Sequence, residues 1–389
     1  MNNKENPSLG EPYVVEAETT PELKFDIEPG TNQPAKTKKR FELIKKGPLS
    51  KKEKLYFLIT IFAILLIGGG LIWWMNNQPW LYAVELGNVP AREVKYYSPL
   101  SGVQVDSEEA TTRTVTAVMI ENSPDARPQS GLAEAEVVFE AVAEGGITRF
   151  IVLYQTSQPG LIGPVRSLRP YYAEWAAAFD PTVAHVGGSP DALAMIRSGN
   201  YGVDIDQFFN AGSYWRATDR AAPHNVYTNS ERLNALNAAK NKKTSSFAFA
   251  PRINEKKVET PNATAISVSV SSGTFDVSYT YDAASNSYHR RQGGVPHTDR
   301  EKGQIAPKVV IAMKTNITIA ADGVHRIITT NGSGPAYIFQ NGTVVQGTWS
   351  KAGTKSKLTF NDDQGKEIPL VRGQTWITTV AMDRNVSWQ

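Results

Sequence analysis

Residues 55–75 read LYFLITIFAILLIGGGLIWWM, a run without a single charge. A soluble fold seldom hides a helix that is apolar on every face, and ~20 such residues are what an α-helix needs to cross ~30 Å of hydrocarbon. The run is also longer than the roughly 7–15 residues of a cleavable signal peptide's apolar region. A transmembrane helix is therefore predicted over residues 55–75. Trp73, Trp74 and Trp80 gather at its far end, where indole rings favour the headgroup layer. Nine basic residues from Lys36 to Lys54 precede it, against Glu42 and Glu53, and no comparable cluster follows. The positive-inside rule then places the N-terminus in the cytoplasm and the large C-terminal part outside.

The basic run distorts an otherwise balanced chain whose formal charge is only +3. Residues 1–35 carry Lys4 and Lys24 against seven acids and five prolines, with no apolar periodicity, so residues 1–54 read as a disordered cytoplasmic tail ending in a basic juxtamembrane segment. The segment can contact anionic headgroups as well as set topology. A nucleic-acid binder would carry its basic stripe on the folded part, so no nucleic acid is expected as partner. The chain has no cysteine, which excludes disulfides, thiolate chemistry and a lipid-modified Cys.

Residues 76–111, with Pro79, Pro90 and Pro99, read as a stalk. From residue 112 apolar runs alternate with helical segments. Residues 115–120, 150–154 and 182–186 are expected as strands and residues 171–179, after Pro170, as a helix. Ser189 with Pro190 should open a second helix over 191–197, and Thr228 with Glu231 has the spacing of a capping box for a third through residue 239. This predicts an α/β domain over 112–245, a polar linker over 246–261, and a second, mostly β domain over 262–389. In the latter, Ile266, Val268 and Val270 alternate with polar residues, as do Phe275, Val277, Tyr279 and Tyr281, and Asn331-Gly332, Asn341-Gly342 and Asp322-Gly323 are hairpin dipeptides. The fold class expected is α+β, anchored in a membrane.

Five polar strings recur through the first domain: Arg127-Pro128-Gln129-Ser130-Gly131, residues 144–149 (EGGITR), residues 163–169 (GPVRSLR), residues 185–190 (HVGGSP) and Ala222-Pro223-His224-Asn225. With Pro296-His297-Thr298-Asp299, Gly332-Ser333-Gly334, Gly347-Thr348-Trp349 and Gly373-Gln374-Thr375-Trp376 in the second, they resemble, in order, the YerB-like family of bacterial envelope proteins, over about residues 112–380. The resemblance implies an extracytoplasmic protein of two linked domains and carries no established chemistry. Members of that family are often lipoproteins; this chain lacks the Cys for it and has the apolar helix instead.

Ionisable residues of the first domain cluster where turns are expected. Glu140 and Glu144 lie beside a glycine pair, Arg149, Arg166 and Arg169 flank a turn, His185 precedes Gly187-Gly188-Ser189, and His224 follows Pro223. Backbone N–H groups at a Ser-opened helix start, with forked guanidiniums nearby, suit a carboxylate or phosphate, which makes Arg149, Arg166, Arg169, Gly187, Gly188 and Ser189 candidate ligand-binding residues. The bland alternative is internal pairing of the arginines with Glu140 and Glu144. Catalysis would take Glu140 or Glu144 as acid and His185 or His224 as base, in hydrolysis or lyase chemistry on the wall. His185, His224 and Asp191 or Asp206 could instead hold zinc, but the spacing favours neither chemistry, and no metal or other cofactor is expected. Trp349 and Trp376 with His297 and Asp299 could line a sugar-binding face, though packing in a core is the commoner fate of tryptophan. The expected function is binding of an anionic cell-wall component in a regulatory or structural role, with a wall polymer or an envelope protein as partner and the membrane reached through one helix.

Overall fold

The computed structural model describes residues 50–77 and 94–389, in two units divided at Ala91 and Arg92. Most of the expected tail (1–49) and the residues 78–93 of the expected stalk lie outside the described residues. In the first unit, helix α1 (Lys51–Asn76) starts four residues before the apolar run. Ser50 and Glu53 form a capping box there, the Glu53 carboxylate accepting from the Ser50 N–H at 2.8 Å. At ~1.5 Å per residue its 26 residues reach about 39 Å, with none of its side chains buried by protein. It is long and apolar enough to cross a bilayer.

The second unit is α+β and mostly β. Its strands are β1 (Thr116–Glu121), β2 (Val137–Val142), β3 (Thr148–Tyr154), β4 (Thr182–His185), β5 (Val203–Asp206), β6 (Ala265–Val268), β7 (Val277–Asp282), β8 (Ser287–Gln292), β9 (Val295–Pro296), β10 (Val309–Thr315), β11 (Gly332–Gln340), β12 (Thr343–Lys351), β13 (Thr359–Asn361), β14 (Thr375–Ala381) and β15 (Val386–Trp388). Helices α2 (Pro170–Ala177), α3 (Pro190–Arg197) and α4 (Ser230–Ala239) complete what the site needs. Ten strands form one sheet in the order β13-β12-β11-β10-β14-β2-β3-β1-β4-β5. The residues of β1, β2 and β3 are buried throughout, as a sheet covered on both faces requires, and most of them are apolar. On one face Trp175 of α2 stacks on Phe139, ring centroids 5.7 Å apart; on the other, Phe150 meets Trp376 edge-on at 5.3 Å. A second sheet, β9-β8-β7-β6-β15, lays Val268, Tyr279 and Tyr288 onto Val310 and Phe339 of the large one.

The segment 246–261 does not divide the large sheet. β14, from the C-terminal half, pairs parallel to β2 from Val137↔Thr375 to Glu140↔Thr378, so both halves share one ladder. Residues 94–111, expected as stalk, also belong to the fold: Tyr96–Tyr97 pairs with Gln104–Val105, Leu100 is buried, and the hydroxyls of Ser98 and Ser101 donate to the buried Glu136. Two local readings change as well. The cap of α4 is Asn229, whose side chain accepts from the Arg232 N–H, while Thr228 turns its hydroxyl to the Ser213 carbonyl. Asn341-Gly342 makes the β11–β12 hairpin with both residues at positive φ, but Asn331-Gly332 only leads into β11.

Candidate functional site

Six strands of the large sheet, β10, β14, β2, β1, β4 and β5, run in one direction, so their carboxyl ends share one edge, where the antiparallel β3 begins. In open α/β sheets ligands bind outside that edge. Two charge networks stand on it. In the β2–β3 turn, Glu144 accepts from Arg149 at 3.2 Å and from the Arg169 Nε, and lies 3.7 Å from His325 Nε2. Gly145 and Gly146, at φ +62° and +77°, permit this turn. Burial pushes the Glu144 carboxyl up, but the Arg169 hydrogen bond and the charges of Arg149 and Arg169 outweigh it and hold it below the ordinary glutamate value. In the second network Glu121, at the end of β1, meets His224 Nδ1 at 3.0 Å, Ser123 Oγ at 3.0 Å and Arg166 Nε at 3.4 Å.

Beside the first network opens a cleft of about 600 Å³. The starts of two helices reach it, Arg169 and Pro170 of α2 and Ser189 and Pro190 of α3, and its other wall is the hairpin Ile317–Ile319 with Arg326–Ile328. First-turn N–H groups of helices have no intrahelical acceptor and carry partial positive charge. Ser189 stands at the N-cap of α3 as expected, but its hydroxyl does not cap the helix; the residue is only 9% exposed, and its Oγ has no partner among the described residues. His325, across the cleft, holds the Asp322 carboxylate at 2.6 Å and draws its pKa down to about 2.

The sequence-derived candidates separate into different environments. Glu140 is fully buried and accepts from Arg290 at 2.7 Å, Thr148 at 3.1 Å, Trp376 Nε1 at 3.1 Å and Thr378 at 3.2 Å. It is a sealed ion-pair partner, out of reach of any substrate. His185 is equally buried, its Nδ1 facing the Gly187 carbonyl at 2.8 Å and its Nε2 the Asp204 carboxylate at 3.1 Å. His224 belongs to the Glu121 network, so neither expected histidine faces Glu140 or Glu144. The imidazole that approaches Glu144 is His325, which sequence reading missed because it sits in a hairpin 181 positions further along the chain than Glu144. Arg149 and Arg169 are engaged by Glu144, as the internal-pairing alternative allows, and Arg166 by Glu121, a partner it did not include. Of the ligand-binding candidates, Arg169 and Ser189 line the cleft. Gly187 and Gly188 lead to it: the Gly187 N–H donates to Asp206, and a Cβ on Gly188 would come within 3.0 Å of the Leu168 carbonyl. Among the described residues no group of three His, Asp or Glu is placed to hold a metal, so the zinc arrangement has no counterpart there. Trp349, Trp376, His297 and Asp299 are all buried and offer no sugar-binding face.

Two family profiles match the chain, the N-terminal domain of the protein of unknown function DUF3048 over residues 100–245 and its C-terminal domain over residues 266–377. The chain belongs to the DUF3048 family. A relative in Bacillus subtilis (strain 168), named "Putative lipoprotein YerB", is 33% identical over 299 residues, 75% of this chain and 88% of that protein. The crystal structure of the YerB protein from Bacillus subtilis superposes with a TM-score of 0.67 at 32% identity, covering 75% of this chain and all of that one.

The family strings of the N-terminal half supply the two networks and one wall of the cleft. Arg127 donates to Asn122, and Gln129 to the Glu121 carbonyl and Asn122 Oδ1, which fixes the segment that carries Ser123. Gly163, at φ +151°, passes so close to Tyr227 that a Cβ would sit 2.8 Å from its ring. This close passage brings Arg166 and Arg169 to the sheet edge. The cis prolines Pro128, Pro164 and Pro223 all fall within these strings.

Proposed function

We propose that this chain is a membrane-associated protein of the bacterial envelope that binds an anionic cell-wall component in the cleft at the starts of α2 and α3. Helix α1 anchors it, with the N-terminus cytoplasmic and the folded unit outside. The anchoring is supported by the length and apolar surface of α1, by the basic run before it, and by a relative named as a lipoprotein, for which an apolar helix is the substitute in a chain without cysteine. The observation that carries the binding reading is Arg326. It lines the cleft opposite the two helix starts and, unlike Arg169, has no carboxylate partner among the described residues. A planar guanidinium left unpaired in a concave site is suited to a carboxylate or phosphate.

The test is co-sedimentation of residues 92–389 with purified cell wall, beside the Arg326→Gln variant. The fragment contains all three hydrophobic cores, and a relative that covers only 75% of the chain crystallises as a folded protein. Binding that falls at least fivefold in the variant, at unchanged melting temperature, supports the reading. Equal binding by both proteins, or none by either, refutes it. Protease added to intact spheroplasts should remove a C-terminal epitope and spare a tag at residue 1; the reverse pattern refutes the proposed topology.

A further inference from the structure

The charges of the cleft do not balance for a purely anionic ligand. Two guanidiniums, Arg169 and Arg326, line it against three carboxylates, Glu174, Asp191 and Asp322. Arg169 is taken by Glu144 and Asp322 by His325, which leaves Arg326 facing two carboxylates. Glu174 accepts the hydroxyl of Thr330 and lies within electrostatic reach of the Lys351 ammonium, while Asp191, exposed in the first turn of α3, has no partner among the described residues. Asp191 also offsets the positive end of its own helix, so the start of α3 does not act as an anion site by itself. An anion bound at Arg326 would share the cleft with the uncompensated negative charge of Asp191.

On the reading that this cleft is the binding site, we infer that its ligand is zwitterionic: a short peptide or amino-acid end carrying a carboxylate for Arg326 and a free ammonium for Asp191 and Glu174. A metal ion would be the other way to satisfy two carboxylates, but they are not placed with a third ligand as a cation site requires. An ammonium needs no such cage, since its three donors are met one at a time by single carboxylates and a hydroxyl. Ser189 stands on the same wall, its hydroxyl enclosed by its neighbours and unengaged among the described residues. Pro170, Pro190, Met195 and Ile328 also line the cleft and offer apolar surface suited to the carbon framework of such a ligand. The volume, about 600 Å³, lies within the ~300–1,000 Å³ of sites that enclose whole small molecules and admits a short peptide rather than a polymer chain.

Isothermal titration of residues 92–389 with dialanine and trialanine, in all-L and all-D forms, tests this against the same peptides N-acetylated, which are anions, and C-amidated, which are cations. The zwitterion is expected to bind at least tenfold tighter than either blocked form. Asp191→Asn should abolish its advantage over the N-acetyl peptide, and Arg326→Gln its advantage over the amide, with Arg326→Lys retaining part of it. Asp191 is exposed, so its variant should melt like the wild type. Equal binding of free and N-acetylated peptides overturns the zwitterion inference and leaves the anion reading standing. Absence of binding by every peptide while purified wall still binds overturns the inference too; absence of binding to both overturns the reading on which it rests.

Discussion

Glu140 and Arg290 form the ion pair whose loss should cost this fold most. Both side chains are fully buried, and they join the two halves of the chain across 150 positions, Glu140 from β2 and Arg290 from β8. Only Nη2 of the guanidinium is hydrogen-bonded to the carboxylate; Nε and Nη1 have no hydrogen-bond partner among the described residues, and the cation rests 4.5 Å over the Trp376 ring and 5.7 Å from that of Tyr279. Arg290→Met removes the charge-assisted bond but keeps an apolar stem of similar length. Glu140 then retains three neutral donors, Thr148, Trp376 and Thr378, which do not compensate a full charge in a dry site. Breaking a buried pair from one side typically costs about 3–5 kcal/mol, and we expect Arg290→Met to fall in that range. Adding Glu140→Gln removes the stranded charge while keeping an acceptor for the Trp376 N–H, so the double variant should recover at least half the loss. Guanidinium denaturation of residues 92–389, followed by tryptophan fluorescence and circular dichroism, measures both. The two signals should move together, because the shared ladder between β2 and β14 makes the halves one cooperative unit. A single variant within about 1 kcal/mol of wild type, or a double variant no better than the single, would refute the account of the pair as a buried, mutually dependent charge couple.

Two further outcomes follow from the interior. Burial, and then the charges of Arg290 and Arg127, push the His297 pKa far below the ordinary histidine value of 6.5. Below that pH the unfolded chain takes up a proton that the folded one refuses, so His297 lowers stability by up to about 1.4 kcal/mol per pH unit as pH falls. Glu144 acts in the same direction but in a more acidic window: its contribution is present above its unfolded value of 4.5 and is lost as pH drops from there through its lower folded pKa. Denaturation of wild type and His297→Gln between pH 8 and 5 should therefore show the variant gaining on wild type below pH 6.5; parallel curves would mean that the folded imidazole titrates normally. At Gly347 a Cβ would stand 2.1 Å from the Asn361 carbonyl oxygen, where β12 meets β13, so Gly347→Ala should destabilise by roughly 3 kcal/mol or more, since the backbone must give way. Gly145, left-handed but with open space around it, should lose only about 1 kcal/mol as Ala; equal losses at the two positions would contradict this distinction.

Local patterns revealed the strands that are apolar without interruption, β1, β3 and β4, and the helix starts marked by Pro170 and Pro190. They did not reveal β2. Its residues VVFEAV place a carboxylate in the middle of an apolar run, and only Arg290, far along the chain, makes that carboxylate compatible with a central strand. For the same reason the two halves looked like separate domains. Alternation identifies a strand but carries no information on which strand will lie beside it, and the insertion of β14 between β10 and β2 is set by side-chain packing around Trp376, Phe150 and Phe139. The candidate site was legible by half. The strings carrying Glu144, Arg169 and Ser189 lie at the sheet edge where the cleft opens, whereas His325 and Arg326 lie in a hairpin whose sequence shows only a turn.

What separates scaffold from site among these charges is whether the fold cancels them. A buried guanidinium or carboxylate without a partner is too costly to keep, so the sealed positions hold pairs, Glu140 with Arg290 and Glu136 with the hydroxyls and N–H groups around it. Such pairs spend their interaction within the protein and have nothing left for a ligand. Glu144 shows the intermediate case: its two arginines and the nearby His325 fix the position of Arg169 at the rim, which makes that arginine a better wall than a clamp. Arg326 and Asp191 are the cleft charges left over when the internal pairs are counted, Glu174 having the Lys351 ammonium within electrostatic reach, and water access at the cleft is what lets them remain so. A ligand that meets Arg326 and Asp191 at once gains from each without requiring any internal pair to open, and this is the physical reason to look for opposite charges on one small molecule rather than for a polyanion.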